Sequence, residues 1–352
     1  MGVDAFGANV EVSSVSDDSR IRGDEIKNEV PRYQRVYNFF GFKRSYNFPL
    51  FIIFAGAMAG FSLARLRDFR FDLAFAENLG PGFMFYYQGG SYKVGILMHL
   101  AGCLPAGLLM VFQFVPAIRH RFILFHRING YIILLLLLIS NIGASIALRH
   151  NSSGDTRTAT QTAEALLVIM TTIGLALSYY NIKRLQIDQH RAWMLRSMFY
   201  FGAIITTRVF ISIGAVIISK KGDYYSVWEC ANIDFTFREF GFPGGLEEMY
   251  PECLMPNGTV DGRVVVKAVH DFTKPIQAGS MINIMFSASI WLAIAVHIIG
   301  VEIYLNLTPL ESKRLRQISY ERALAAGFKN PGNTGTTAQR FGDAEEYVPL
   351  SS

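Results

Sequence analysis

The sequence predicts an all-α polytopic membrane protein with six transmembrane helices. Of its 352 residues, 51% are hydrophobic, and the mean hydropathy is +0.26. The apolar residues form long runs that a water-soluble fold would not require. A helix needs about 20 mostly apolar residues to cross a hydrocarbon core about 30 Å thick. Six segments meet that requirement, at 47–66, 93–117, 128–148, 162–182, 194–219 and 280–305.

The spans and the polar segments between them define the predicted organisation. Residues 1–44 form a tail, and residues 45–219 form a five-helix membrane region. The last four helices of that region, at 93–219, make a four-helix core. A small loop domain at 220–279 separates this region from the sixth helix. The expected fold is therefore a six-helix membrane protein built around four helices, with one outer-side loop domain.

Lysine and arginine residues concentrate at one end of the predicted bundle. They lie in the N-terminal tail, in the turns after the second and fourth spans, and in the tail at 306–352. This second tail begins as a basic helix and then becomes rich in Gly, Thr and Asn, which predicts disorder. Because positively charged short segments stay in the cytosol, both termini are predicted to be cytosolic. The net charge of +5 follows this topology and forms no nucleic-acid patch, so nucleic acid is not an expected partner.

Features of the opposite end predict a lumenal location for it. Asn151 and Asn257 each begin a glycosylation sequon on that side. Cys230 and Cys253 share the longest outer loop, where an oxidising compartment would allow them to form a disulfide. These features fit the secretory pathway, and the endoplasmic reticulum is the expected membrane.

Polar residues inside the predicted spans are the candidate functional residues. Arg208 lies about 16–18 Å from either polar flank at 1.5 Å per residue, close to the centre of the bilayer. A charge at this depth must face a protein interior, a partner or water. His99, Glu164 and Asn141 share the outer half of the membrane with it and would form one site. The alternative is that Arg208 and Glu164 pair only to lock the bundle.

Histidines suggest a second site, nearer the cytosol. His126 and His190 lie at the cytosolic interface, and His297 lies about 12 Å inside it. Neutral imidazole is a common ligand of metals and of haem iron. Two facing histidines could hold haem b, whereas three could bind copper, zinc or iron, and His99 is a further candidate ligand. Each histidine also has an ordinary interpretation, because interfacial imidazoles bond lipid phosphates or helix ends and His297 could be a satisfied core residue.

Two motifs in the predicted four-helix core resemble a known family. The string His-Arg-x-x-Gly begins at His126, and the string His-Arg-x-Trp-Met-x-Arg-Ser occupies 190–197. Both resemble a family of predicted membrane proteins of unknown function from bacteria and fungi, domain of unknown function family 2306. The four-helix unit of that family corresponds to about 93–219 here, and a histidine near its start matches His99.

This family is distantly similar to four-helix b-type cytochromes and to membrane factors of cytochrome oxidase assembly. The resemblance implies a haem or metal held by histidines. The fourth span carries Glu164 where cytochromes with two haems place a histidine. The resemblance therefore implies at most one haem, or a non-haem metal.

Together these observations predict an intramembrane oxidoreductase, or a related tailoring enzyme, acting on a lipophilic small molecule. Histidines would hold the cofactor, and an electron donor would be a further partner beside the lipid bilayer. Arg208 would hold an anionic or carbonyl group, Glu164 would act as acid or base, and Asn141 would orient the ligand. Two alternatives remain open: a cofactor-free membrane cyclase or isomerase, and a non-catalytic transporter, lipid-binding protein or assembly factor.

Overall fold

The computed structural model describes residues 32–71, 75, 79–150, 156–242, 245–333 and 346–349. Across these residues the protein is mostly helical, which confirms the all-α membrane fold. Six helices are long and apolar enough to cross a membrane. They are α2 (Asn47–Arg65, extended by a 3₁₀ turn to Phe69), α3 (Gly90–Gln113), α5 (Ile123–Ala147), α6 (Arg157–Lys183), α7 (Ile187–Lys221) and α10 (Pro275–Leu307).

Shorter elements flank the six spans. The helices among them are α1 (Arg32–Phe39), α4 (Pro116–Arg121), α8 (Cys230–Glu239), α9 (Gly245–Met249) and α11 (Pro309–Ala325). Two antiparallel strands, β1 (Tyr225–Glu229) and β2 (Arg263–Lys267), pair with Tyr225 opposite Lys267. We call the end of the bundle that carries these strands the cap end. The other end, where α2 begins and α10 finishes, is the basic end.

Two helix boundaries differ from the predicted ones for identifiable reasons. The second span finishes at Gln113 rather than 117, because Pro116 begins the separate helix α4. A proline suits the first turn of a helix, where its missing N–H has no partner to lose. Helix α7 begins at Ile187, well before the predicted 194, because its polar first turns bond to neighbouring helices.

Close packing through small residues joins α3 to α5. A Cβ atom on Gly143 would lie 2.5 Å from both the Gly95 carbonyl oxygen and the His99 amide nitrogen. A Cβ atom on Gly102 would collide with the Leu136 carbonyl. Such contact is possible only because glycine has no side chain, and small residues are the usual means of close helix packing in membranes.

The membrane core lies where five helices meet. Met58 of α2, Met110 of α3, Leu137 of α5, Leu175 of α6 and Met198 of α7 form one buried apolar cluster. Helix α10 packs on the other side of α7 and also contacts α6. Helix α7 is therefore the central element, since it touches α6, α10 and, less extensively, α2.

The cap is a small disulfide-linked domain on the cap end of α10. Cys230 and Cys253 form a disulfide inside its apolar core, which is centred on Trp228. Two glycines, Gly82 and Gly279, contact the Trp228 ring so closely that an added Cβ would lie 2.5 and 2.7 Å from it. The cap thus holds residues 79–87, including the 3₁₀ turn Met84–Tyr87, against the spans.

Candidate functional site

Many of the polar side chains inside the spans join one helix to another. His297 of α10 donates from Nδ1 to the Phe199 carbonyl at 2.5 Å, and its Nε2 accepts from the Thr206 hydroxyl at 2.7 Å. Because a carbonyl oxygen can only accept, this pattern fixes the tautomer. Both ring nitrogens are therefore occupied, and His297 clamps α10 to α7.

The motif at 190–197 has the same joining function. The His190 ring bonds to Ser178 of α6, and Arg191 donates to Thr308 at 3.4 Å. Arg196 forms a two-pronged ion pair with Glu302 of α10, at 2.6 and 2.9 Å. The motif therefore holds α7 between α6 and α10, which is a structural reason for its residue types.

Asn141 also connects two helices. Its amide nitrogen donates to the hydroxyls of Thr171 and Thr172 on α6, at 3.0 and 2.8 Å. The predicted role of Asn141 in orienting a ligand remains a prediction. The role that its geometry displays is the joining of α5 to α6.

His99 is oriented by Ser140 near the cap end. Its Nδ1 lies 3.2 Å from the Ser140 carbonyl oxygen and 3.0 Å from the Ser140 hydroxyl. The carbonyl requires a proton on Nδ1, so in the neutral ring Nε2 carries the lone pair. The Cys103 thiol and the Glu164 carboxylate both interact with this imidazole. His99 thus lies within electrostatic reach of Glu164, and the shared site predicted from their depth remains a prediction.

Tyr87 is another group within electrostatic reach of Glu164, and it is not among the residues predicted from the sequence. It is 6% exposed, and it ends the 3₁₀ turn that the cap holds against the spans. Burial raises the pKa of the Tyr87 hydroxyl well above its usual range, and the Glu164 carboxylate adds to that increase. Tyr87 therefore remains a protonated hydrogen-bond donor. The sequence predicts only that this segment is aromatic and interfacial. It contains no feature that would mark Tyr87 rather than Tyr86 as a functional residue.

Arg208 occupies the outward side of the same region. Its side chain is exposed on α7, and the guanidinium carbon lies 5.7 Å from the centre of the Phe286 ring of α10. It interacts electrostatically with Glu164, with Arg65 and with Asp68, the last of which is 2% exposed. None of the ion pairs within the described residues includes Arg208, so it forms no direct salt bridge with Glu164.

We call Tyr87, His99, Glu164 and Arg208 the cap-end cluster. It contains two groups that can exchange protons, one phenol held in its protonated form, and one cation. One turn before Glu164, the Thr160 hydroxyl is buried and has no hydrogen-bond partner among the described residues. An unsatisfied buried hydroxyl is uncommon and indicates a place where a bound molecule could supply a partner.

The remaining two candidate histidines lie at the basic end. His190 donates from Nδ1 to the Ser178 carbonyl at 3.0 Å, which leaves its Nε2 lone pair unassigned. The Nδ1 atom of His126 is buried without a hydrogen-bond partner among the described residues, and the two rings lie within electrostatic reach of each other. Within the described ranges, no three His, Cys, Asp or Glu side chains are grouped as metal ligands. The predicted metal set of His126, His190 and His297 is therefore not assembled, and only the first two histidines remain as a pair.

The structure describes one of the two predicted glycosylation sites. Asn257 lies in an exposed turn of the cap, where its side-chain oxygen accepts from the Thr259 amide and hydroxyl at 3.1 and 2.6 Å. Asn151 lies outside the described residues. Glycosylation of both asparagines remains a prediction.

Comparison with known protein families gives a match to part of the membrane region. No curated protein and no solved structure matches the chain significantly. The match to a family covers the segment from α3 to the beginning of α8, which contains every candidate ligand except His297. Residues 96–233 match the model of the family described as predicted membrane protein (DUF2306), which confirms the resemblance found in the sequence.

Proposed function

We propose that the protein is a membrane enzyme that acts on a lipophilic small molecule at the cap-end cluster. The observation that carries this proposal is that Tyr87, His99 and Arg208 all lie within electrostatic reach of the Glu164 carboxylate. Charged residues are rare within membrane spans and commonly mark a substrate pathway.

The surface around Arg208 suits an amphiphilic molecule that arrives from the bilayer. The next residues on the exposed side of α7 are apolar, among them Val209, Ile213 and Val216. A substrate could place its apolar part against this surface and an anionic or carbonyl group on the guanidinium. Hydrogen bonds to charged groups are stronger than those between neutral groups, which would fix the orientation of the substrate.

The groups around Glu164 favour proton-transfer chemistry. The Nε2 lone pair of His99 can accept a proton, and Glu164 can act as acid or base in a site of low polarity. Tyr87, held in its protonated form, can donate a hydrogen bond to a developing negative charge on oxygen. This combination supports isomerisation or cyclisation of a substrate that contains a carbonyl or carboxylate group, without a cofactor.

Replacing Arg208 by leucine is expected to reduce retention of the bound molecule at least tenfold. A hydrogen bond to a charged group contributes about 1.5–3 kcal/mol, which corresponds to roughly 10–100-fold in affinity. The measurement is quantitative mass spectrometry of lipophilic anions extracted from purified wild type and Arg208→Leu. Lys220→Leu is the matched control, because Lys220 is an exposed cation at the end of the same helix. Equal retention by wild type and Arg208→Leu would show that Arg208 holds no ligand.

A haem-binding oxidoreductase is the second candidate function, supported by the pair His126 and His190. The carbonyl that fixes the tautomer of His190 is a usual companion of ligating imidazoles, and His126 has a buried nitrogen with no partner in the described part of the chain. These two residues, on α5 and α7, would hold the haem iron. A haem bound there would supply one-electron chemistry, and the chain would contribute ligand orientation and exclusion of water.

In that case, replacing His190 by alanine is expected to eliminate a visible haem spectrum. The measurement is the absorption spectrum of detergent-purified protein, oxidised and then reduced with dithionite, with elemental analysis of the same sample. His297→Ala is the control, because both nitrogens of His297 are already bonded within the protein. A Soret band that survives in His190→Ala would exclude this ligand. Colourless wild type without stoichiometric iron would exclude the haem proposal and leave the cofactor-free one.

We propose further that the basic end faces the cytosol and the cap faces the lumen of the endoplasmic reticulum. The disulfide of the cap and the exposed Asn257 sequon support this orientation. The concentration of lysine and arginine at the basic end also supports this orientation.

A further inference from the structure

A cleft at the basic end encloses a buried arginine that does not belong to either site above. The cleft is small and lies between the α6–α7 turn, helix α11 and the segment that follows it. Its polar lining consists of Arg184, Gln186, Arg316, Ser319, Asn330 and Asn333.

Arg316 is only 8% exposed and is incompletely bonded. Its Nη2 donates to the Gly332 carbonyl, but Nε and Nη1 are buried without a hydrogen-bond partner among the described residues. The nearest carboxylate, Asp188, is 3.8 Å from Nη1, which is too far for a hydrogen bond. That carboxylate already accepts from the Ser319 hydroxyl at 3.0 Å. A buried guanidinium with unused donors is costly unless something else bonds to it.

An aromatic ring packs against the Arg316 guanidinium beside its buried, unused donors. The Tyr347 ring lies over one face of Arg316, with its centre 5.5 Å from the guanidinium carbon. Tyr347 is itself held, because its amide donates to Gly332 at 2.9 Å and its hydroxyl to Gln317 at 2.6 Å. Stacking on an aromatic ring leaves the in-plane N–H groups available for oxygen acceptors.

Two further groups in the cleft could bind the same acceptor. Arg184 is exposed, and its one recorded partner among the described residues is the Tyr180 hydroxyl at 2.9 Å. The side chain of Gln186 is buried, and its oxygen has no hydrogen-bond partner within the described ranges, so its amide group can turn to place a donor there. The described lining of the cleft contains two guanidinium groups and no carboxylate, and Asp188 lies beside Arg316 only, so positive charge is in excess.

We propose that this cleft binds a phosphate group. Guanidinium groups bind phosphate oxygens through several parallel hydrogen bonds, and two arginines with an amide are a suitable set of donors. The cleft lies where α6 ends and α7 begins, at the level of the bilayer surface. The phosphate could therefore belong to a lipid headgroup or to a soluble compound. This inference does not depend on the function proposed for the cap-end cluster.

The test uses the full-length protein in phosphatidylcholine nanodiscs, with and without a minor fraction of phosphatidylinositol 4-phosphate. Native mass spectrometry counts the retained phosphoinositide, and calorimetry measures binding of inorganic phosphate in the discs that lack it. Retention of the lipid alone indicates a headgroup site, and binding of inorganic phosphate indicates a soluble ligand. If wild type binds neither probe, the cleft holds only water and the proposal is wrong.

Arg316→Gln is expected to weaken binding of the positive probe at least tenfold, because it removes the buried charge. Arg184→Gln is expected to weaken it several-fold and leaves the buried part of the cleft intact, so it decides the question if Arg316→Gln fails to fold. Arg314→Gln is the control, because Arg314 lies on the same helix but pairs outside the cleft with Glu311 at 2.7 Å. Unchanged binding in Arg184→Gln, or an equal loss in Arg314→Gln, would overturn the proposal.

Discussion

Replacing Glu164 by glutamine is expected to lower turnover by about 100-fold or more while leaving the protein folded. Glutamine has nearly the same shape as glutamate but cannot exchange a proton, and a positioned acid or base contributes about 10²–10⁴ in rate. Glu164 interacts with both His99 and Tyr87, so the change also removes the charge that these two groups face. The loss should therefore appear in kcat rather than in KM.

The measurement compares the conversion of a cell lipid extract by wild type and Glu164→Gln in nanodiscs, followed by liquid chromatography and mass spectrometry. Glu321→Gln is the matched control, because Glu321 is an exposed carboxylate on α11. Wild-type turnover in Glu164→Gln would exclude acid–base catalysis by this residue. If wild type itself converts nothing, and the Arg208→Leu variant still loses a bound lipophilic anion, the chain is a binding or transport protein.

The six spans could be predicted from the sequence because membrane thickness sets a minimum length for an apolar helix. Their ends could not be predicted equally well. Helix α7 continues through the polar residues Asp188, His190 and Arg191, since each of them finds a partner on another element. Hydropathy detects where apolar residues stop, but it does not detect where a neighbouring helix supplies hydrogen bonds.

Some residues of the candidate site could be predicted from the sequence, and one could not. His99, Glu164 and Arg208 stand out because they are polar residues within apolar runs, and their depths predict that they lie near one another. Tyr87 could not be found in this way, because its position depends on the cap holding the segment before α3. The sequence alone does not show how a cap domain packs against a helix bundle.

The histidines show why a polar residue in a span is ambiguous. A side chain that reaches a cofactor and one that joins two helices have the same appearance in a sequence. The bonds of His297 to Phe199 and Thr206 depend on the rotation of α10 against α7, which hydrophobic periodicity does not determine. An unsatisfied polar group in lipid costs several kcal/mol, so helix-joining bonds are a sufficient reason for such residues.

Replacing Gly143 by leucine is expected to destabilise the protein more than any other substitution discussed. The first atom of the new side chain would lie 2.5 Å from the Gly95 carbonyl oxygen and from the His99 amide. Both contacts involve backbone atoms, so no rotation of a side chain can relieve them, and α3 must move away from α5. Overpacking of a well-packed site costs about 1–3 kcal/mol and can cost more, and the upper part of that range is expected here.

The measurement is the unfolding temperature in detergent, together with the monodisperse fraction on gel filtration. A loss of about 3 kcal/mol would lower Tm by roughly 4 °C in a chain of this size. Gly56→Leu is the matched control, because a Cβ atom on Gly56 would meet nothing within 4 Å among the described residues. Leucine also favours a helix more than glycine does, so Gly56→Leu should be neutral or slightly stabilising. If the two variants unfold at the same temperature, α3 and α5 do not pack through Gly143, and the Ser140 bond that orients His99 would lose its structural basis.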